Sequence, residues 1–95
     1  MGTVETLEGV LNQTLWFHYD VTNDVLYLRL MSKRMADTYG EETSDGFILL
    51  REVDTDAPAG ITIVNWWKRF GHGNLPDSLT EIQRQIEPWG AKLAA

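Results

Sequence analysis

The sequence contains no cysteine, which excludes disulfide bonds and thiolate-bound metal ions. Basic residues are few, since 8 Lys and Arg against 14 Asp and Glu give a formal net charge of −6. That balance disfavours binding along a nucleic-acid backbone, which needs clustered positive charge. No apolar run approaches the ~20 residues that span a bilayer. The segment 1–13 also lacks the basic-then-apolar order of a signal peptide. We therefore expect a cytoplasmic protein with no membrane contact.

The chain is also short. Its 95 residues fit a single domain, which we assign to residues 1–95. A chain of this size buries only roughly 60–65% of the surface that its unfolded form exposes. Its stability should therefore be modest unless a second subunit or another protein covers apolar surface.

Several segments between residues 15 and 64 have the residue patterns of β-strands. In "YDVTNDVLYLRL" the residues 20–23 favour a turn, and Leu26, Leu28 and Leu30 share one face of the following strand. Strands are also predicted over 15–19 from aromatic residues, over 47–53 from the preceding turn signal and over 61–64 from β-branched residues, while the alternating strand covers 25–31. Residues 35–43 are polar and are a candidate outer strand. Helical spacing of Val4, Leu7, Val10 and Leu11 instead predicts a short helix over 4–11.

The clearest helix signal lies near the C-terminus. Ser78 followed by Glu81 is a capping box, and Leu79, Ile82 and Ile86 form one apolar stripe. Pro88 is expected to end this helix, which gives bounds of 78–87. Strands followed by helices predict an α+β fold: a four- or five-stranded antiparallel meander with the C-terminal helix packed on one face. The residues expected to dominate the core are Leu26, Leu28, Leu30, Ile48, Leu50, Ile61 and Ile63.

Three blocks of the sequence resemble a bacterial family catalogued as domain of unknown function 2283. "YDVTNDVLYLRL" is similar to its opening hairpin, "SDGFILLREVD" to its next turn and strand, and "GITIVNWWKRF" to its last strand and short basic helix. The resemblance covers about residues 16–70, so that 71–95 form a loop and a helical extension. Thr62 and Trp67 depart from the family pattern. The resemblance implies a small β-rich fold and a bacterial context, sometimes beside toxin-like partners, and it implies no catalytic residues.

Several polar side chains are of the types that bind metal ions. Asp20, Asn23 and Asp24 offer oxygen atoms, but they lie in one short turn without the glycine and closing glutamate of a calcium loop. A hairpin turn accounts for them better. His18 and Asp20 share a strand face and would need His72 from a distant loop to make a zinc site. We therefore expect no bound metal and no cofactor.

Catalytic groups are equally poorly supported. Ser32, Ser44 and Ser78 occupy turn or cap contexts, and no nucleophile elbow is present. Glu41 and Glu42 form a polar pair in a segment where nothing would raise a carboxyl pKa. Gly71 and Gly73 lack the spacing of a phosphate-binding loop. We expect no catalytic residue, although an enzyme or ligand binder whose site forms only in an assembly stays open.

The most informative stretch is "NWWKRF". On a helical turn Trp66 and Phe70 share a face, while Trp67 points about 100° away. Tryptophan beside Lys68 and Arg69 has the composition of a protein interface, so residues 66–70 are the predicted contact surface. The alternative is that Trp67 packs under the C-terminal helix, against Leu79 or Ile82.

These observations favour a small, non-catalytic protein-interaction module. It would form a homodimer or bind an unlike protein, in the manner of an antitoxin, and nucleic acid is disfavoured by the negative charge. One alternative is an acidic inhibitor, or nucleic-acid mimic, that presents carboxylates to a basic protein. Those carboxylates would be Glu41, Glu42, Asp45, Asp54 and Asp56.

Overall fold

A computed structural model describes residues 6–43 and 46–94 of the chain. These residues form six strands, one short 3₁₀ turn over Met31–Lys33 and two α-helices. The elements are β1 (Thr6–Leu11), β2 (Leu15–Asp20), β3 (Val25–Leu30), β4 (Thr38–Glu42), β5 (Phe47–Glu52), β6 (Pro58–Val64), α1 (Trp66–Phe70) and α2 (Leu79–Ala94). Val4 of the predicted first helix and Ser44–Asp45 of the predicted turn lie outside the described residues.

The strands form one antiparallel sheet in the order β1-β2-β3-β6-β5-β4. It consists of two three-stranded meanders joined where β3 pairs with β6 in the centre. The predicted α+β fold with an antiparallel sheet and a C-terminal helix on it is confirmed, but the sheet has six strands rather than four or five. The segment considered as an outer strand supplies β4, which lies at one edge.

The additional strand is β1, where the helix predicted over 4–11 is wrong. Leu7 and Leu11 lie four residues apart, a spacing that suits both a helix face and alternate positions of a strand. In β1 they point toward the helix side of the sheet, and Gly9 lies between them opposite Phe17. A Cβ at Gly9 would lie 3.0 Å from the Phe17 ring, so the missing side chain leaves room for that ring.

The core lies between the sheet and α2. Alternate residues of the central strands point toward the helix and are fully buried, because antiparallel partners share a face. Leu26, Leu28 and Ile63 confirm the predicted core, while Leu30 and Ile61 are only half-buried. Other strands and both helices contribute the remaining buried apolar side chains: Leu11, Leu15, Phe17, Tyr19, Trp66, Ile82 and Ile86.

Ile48 and Leu50 were predicted in this core, and that prediction is wrong. Ile48 pairs with Thr62 and Leu50 with Gly60, so both point to the face without the helix. The opposite residues of β5, Phe47 and Leu49, point to the helix side. The run "FILL" is apolar at four successive positions, so alternation could not reveal which face is inward.

The expected end of the C-terminal helix at Pro88 is also wrong, since α2 continues to Ala94. Its start is as predicted, because the Glu81 amide donates to Ser78 Oγ (3.4 Å). A proline inside a helix removes one backbone hydrogen bond and costs about 3 kcal/mol. Burial of Gly90 and half-burial of Trp89 and Leu93 continue the apolar stripe and offset that cost.

None of the helices in the described part of the chain is long and apolar enough to cross a membrane.

Candidate functional site

The short helix α1 is held by a residue of a neighbouring turn at the same end of the sheet, where Val25 of β3 pairs with Val64 of β6. Asp24, in the turn between β2 and β3, accepts the amide protons of Trp67 (2.8 Å) and Lys68 (3.0 Å) through its carboxylate. Its own carbonyl accepts the amide proton of Trp66 (3.1 Å). Asn65 precedes the helix in the left-handed conformation (φ 57°) and gives no side-chain cap. Asp24 therefore takes over the capping role and fixes where α1 lies.

The two tryptophans of α1 have different environments. Trp66 is 1% exposed, and its ring meets Tyr19 edge-on with centroids 5.0 Å apart. It belongs to the core and offers no surface to another protein. Trp67 is half-buried against Trp66, with ring centroids 5.6 Å apart.

Trp67 is also held by the loop that follows α1. Its indole Nε1 donates to the carbonyl of Gly73 (2.9 Å). Its ring lies so close over Gly71 that a Cβ there would be 2.0 Å from the ring atom Cδ2. Trp67 therefore makes contacts inside the monomer, with the 71–73 loop and with the buried cluster to which Ile82 belongs.

Phe70, the last residue of α1, belongs to an aromatic cluster that includes a residue of α2. The centroids of Phe70 and Trp89 are 4.9 Å apart, those of Phe47 and Trp89 5.7 Å, and those of Phe47 and Phe70 5.9 Å. Phe70 remains 39% exposed. Trp89 was missed in the sequence because the helix was expected to end one residue before it. The continued stripe after Ile82 and Ile86 was the signal that would have found it.

The cluster borders an open groove, called here the aromatic groove. Its floor is Phe47 and Leu49 of β5 with Ile61 of β6, and its walls are Phe70 and Trp89. The groove has a volume of about 580 Å³. A second recess of about 210 Å³ continues along the same floor toward the C-terminal end of α2. The groove is open because α2 packs mainly over β1, β3 and β6, so that Phe47 and Leu49 on the inner face of β5 are only half-buried.

Two cations lie at the rim of the aromatic groove. The guanidinium of Arg69 lies 4.9 Å from the Phe47 ring centre and 5.0 Å from that of Phe70. The ammonium of Lys92 lies 4.8 Å from the Trp89 ring centre. Both are cation–π contacts with aromatic faces. Among the described residues, neither cation has a carboxylate within ion-pair distance.

Lys68, the remaining residue of the predicted contact surface, is exposed. Its amide is bound by Asp24, while its side chain is not among the groove lining. Of the five residues predicted as an interface, the structure thus brings two, Arg69 and Phe70, to the aromatic groove. Trp66 lies in the core and Trp67 against its own loop.

The face of the sheet opposite α2 carries the histidine considered as a metal ligand. His18 lies between the rings of Trp16 (5.9 Å) and Tyr27 (5.7 Å), and its Nδ1 is 2.9 Å from Glu8 Oε1. That hydrogen bond lowers the pKa of the Glu8 carboxyl. Within residues 6–43 and 46–94, no three His, Asp or Glu side chains are grouped so as to hold a metal ion.

The turn that carries Asp20, Asn23 and Asp24 has a structural explanation. Asp20 accepts from the amide of Asn23 (3.1 Å) and from its side-chain nitrogen (2.9 Å), which lowers the Asp20 pKa. Asp24 has left-handed backbone (φ 55°) and caps α1. Each carboxylate therefore has protein donors, as expected for a hairpin turn.

The remaining polar candidates are engaged as well. Glu41 pairs with Arg51 (2.9 Å), and the Tyr39 hydroxyl donates to Asp56. Glu42 and Asp54 are exposed, while Asp45 lies outside the described residues. The carboxylates proposed for an acidic inhibitor therefore do not all face solvent unpaired.

Comparison of the chain with protein-family models, with curated proteins and with solved structures gave no match. The resemblance of residues 16–70 to the domain of unknown function 2283 family therefore stays an expectation.

Proposed function

We propose that this protein is a small, non-catalytic protein-interaction module that receives side chains of another polypeptide in the aromatic groove. One observation carries the proposal: Phe47, Phe70 and Trp89 form a contiguous aromatic cluster at the surface, next to Arg69. Aromatic residues and arginine are the residue types enriched in interface centres and hot spots. A side chain placed in the groove would remove the exposed part of Phe70 from water.

The lining of the aromatic groove favours binding over catalysis. Its polar side chains are those of Thr43, Arg69 and Lys92. The Thr43 hydroxyl already donates to the carbonyl of Phe47 (3.0 Å). Arginine and lysine over aromatic rings supply positive charge but no general base, which a hydroxyl nucleophile would need.

Two kinds of polypeptide fit this proposal. A second copy of the chain would give a two-fold dimer, the commonest closed assembly, and would add the apolar burial that a short chain lacks. An unlike protein, as in an antitoxin and its target, would instead present a complementary segment. The acidic-inhibitor alternative finds less support, because Glu41 and Asp56 are already bound by Arg51 and Tyr39.

The test compares two variants that each replace an exposed apolar side chain by Asp. Phe70→Asp alters the aromatic groove, and Val53→Asp alters an exposed residue (57%) after β5, outside the groove lining. Proteins retained from the native host by the immobilised wild type should be lost with Phe70→Asp and kept with Val53→Asp. Equal retention by both variants would contradict the proposal.

Sedimentation equilibrium over a range of concentrations separates the two kinds of polypeptide. A dimer that is weakened by Phe70→Asp, but not by Val53→Asp, identifies a second copy as the occupant. A wild-type monomer at every concentration, together with groove-dependent retention of another protein, identifies an unlike partner. Circular dichroism and the melting temperature of each variant confirm that it is folded.

A further inference from the structure

We infer that the occupant of the aromatic groove is a segment of an unlike protein in which apolar side chains are flanked by Asp or Glu. This inference rests on the proposed function and adds the chemistry of the partner to it. It starts from a contrast between the charge of the whole chain and the charge of the groove. The chain has a net charge of −6, yet the charged side chains that line the groove are Arg69 and Lys92.

Three of the other cations are paired with carboxylates, while Arg29, Arg34 and Lys68 are absent from the ion pairs of the described residues. Lys33 pairs with Glu52, Arg51 with Glu41 and Arg84 with Glu81, each at 2.9 Å. In the described part of the chain, the two cations at the groove lack such a partner. With two cations and, among the described residues, no carboxylate in its lining, the groove has a local positive potential in a chain that is acidic overall.

The contacts of the Arg69 side chain leave it able to bind a carboxylate. Its guanidinium lies over the rings of Phe47 and Phe70. Within the described residues the guanidinium makes one hydrogen bond, a long one to the carbonyl of Val64 (3.4 Å). A guanidinium has five N–H donors, so this single long bond leaves others available for a bidentate carboxylate.

A second copy of the chain fits the aromatic groove less well. In a two-fold contact centred on the groove, Arg69 and Lys92 would approach the same residues of the partner copy. Like charges brought together in an interface oppose binding. Among the described residues, the groove lining supplies no carboxylate that could neutralise them. An unlike partner could place apolar side chains on the apolar floor and acidic side chains beside the two cations at the rim.

The size of the aromatic groove limits how many apolar side chains of the partner it can hold. Its volume of about 580 Å³ is similar to that of pockets that hold a small ligand, and the adjoining recess extends it along α2. That space accepts more than one apolar side chain. The expected recognition sequence is therefore two apolar residues, at least one of them large, with acidic residues on one or both sides.

The experiment is a selection of random 12-residue peptides displayed on phage. Peptides retained by the immobilised wild type are counted only if the Phe70→Asp variant does not retain them, which restricts the readout to the aromatic groove. The expected result is a consensus of apolar residues flanked by Asp and Glu. A groove-dependent consensus that is neutral or basic would overturn this inference and leave the proposed function intact. Absence of any groove-dependent consensus would count against both.

Charge reversal provides the second arm. Synthetic peptides of the acidic consensus should bind the Arg69→Glu and Lys92→Glu variants about tenfold more weakly than the wild type, because a favourable charge contact becomes a repulsive one. Arg84→Glu is the matched control, since Arg84 is exposed, lies on α2 outside the groove and undergoes the same charge change. Equal affinity for all three variants would overturn the assignment of the acidic flanks to Arg69 and Lys92. A groove-dependent dimer of the wild type would overturn the unlike partner.

Discussion

Asp24 and Trp67 are 43 positions apart in sequence, and the carboxylate of the first accepts the amide proton of the second at 2.8 Å. The contact ties the β2–β3 turn to the first turn of α1. It also explains why a helix of five residues without its own side-chain cap is formed here. A helix this short is not stable by itself, so tertiary contacts must determine it.

Removal of the Asp24 carboxylate should destabilise the protein. Asp24→Ala loses the bonds to the amides of Trp67 and Lys68 and to the Tyr19 hydroxyl, and we expect a cost of about 2 kcal/mol. Asp24→Asn keeps one oxygen acceptor and should cost less. Urea denaturation measures both, with Asp54→Asn as an exposed control. If Asp24→Ala were as stable as that control, the capping role would be excluded.

The hydroxyl of Tyr19 should give the protein a distinctive alkaline pH dependence. Burial, helped by the hydrogen bond to Asp24 (2.6 Å), raises the pKa of Tyr19 above its usual value of 10.0. Below pH 10 the residue is protonated in both states, and its contribution to stability is complete. Above pH 10 the unfolded chain releases the proton first, so the free energy of unfolding falls as pH rises toward the folded-state pKa.

Tyr19→Phe isolates this effect, because the other titrating groups are the same in both proteins. We expect the wild type to be more stable by about 1 kcal/mol at pH 7. That advantage should shrink by about 1 kcal/mol between pH 10 and pH 11. Chemical denaturation at several pH values measures the difference. An advantage that stays constant up to pH 11 would show that the Tyr19 pKa is not raised.

The two faces of the sheet should differ sharply in their tolerance of substitution. Leu28 is fully buried under α2, while Leu50 is half-buried on the opposite face. Leu28→Ala should cost roughly 2–4 kcal/mol. Leu50→Ala makes the same chemical change and should cost about half as much or less, because less apolar area is lost. The reverse order in thermal or urea unfolding would mean that the register of β5 is different.

The close approach of Trp67 to Gly71 predicts an effect of a single methyl group. A Cβ at position 71 would lie 2.0 Å from the Trp67 ring, so Gly71→Ala must displace that ring. We expect a loss of about 1–3 kcal/mol. The Trp67 indole N–H, which donates to Gly73, should also lose protection from hydrogen exchange. An unchanged indole N–H resonance in this variant would contradict the packing.

Metal removal should leave the protein unchanged. A metal bound only to the folded state raises the melting temperature, so a chelator would lower it. We expect the same melting temperature with and without EDTA. A drop of several degrees that one specific metal restores would instead support a site built on His18, Asp20 and His72.

The sequence predicted those parts of the fold that depend on local pattern. Aromatic residues indicated β2, alternation indicated β3, and a capping box indicated the start of α2. Where the same residue spacing was compatible with both a helix and a strand, the sequence could not distinguish the two. Leu7 and Leu11 suit a helix or a strand, and the pairing of β1 with β2 settles the choice. The local penalty of Pro88 was outweighed by burial that lies beyond it.

Most of the candidate site depends on contacts that are distant in sequence. Phe70 and Arg69 were predicted as contact residues, yet their neighbours Phe47 and Trp89 come from β5 and α2. No spacing rule links these three segments. The capping of α1 by Asp24 could not be predicted from the sequence either, because its role in the hairpin turn already explained Asp24.

Pro88 also affects how α2 can bend. Proline has no amide proton, so the carbonyl of Arg84 lacks its helical donor, and the ladder of hydrogen bonds has a gap at that point. The segment beyond the gap carries Trp89 and Lys92, which form one side of the aromatic groove. A small tilt of that segment would widen or narrow the groove, while β5 and β6 keep its floor rigid. A bend of α2 at Pro88 would therefore move one wall of the groove relative to its floor.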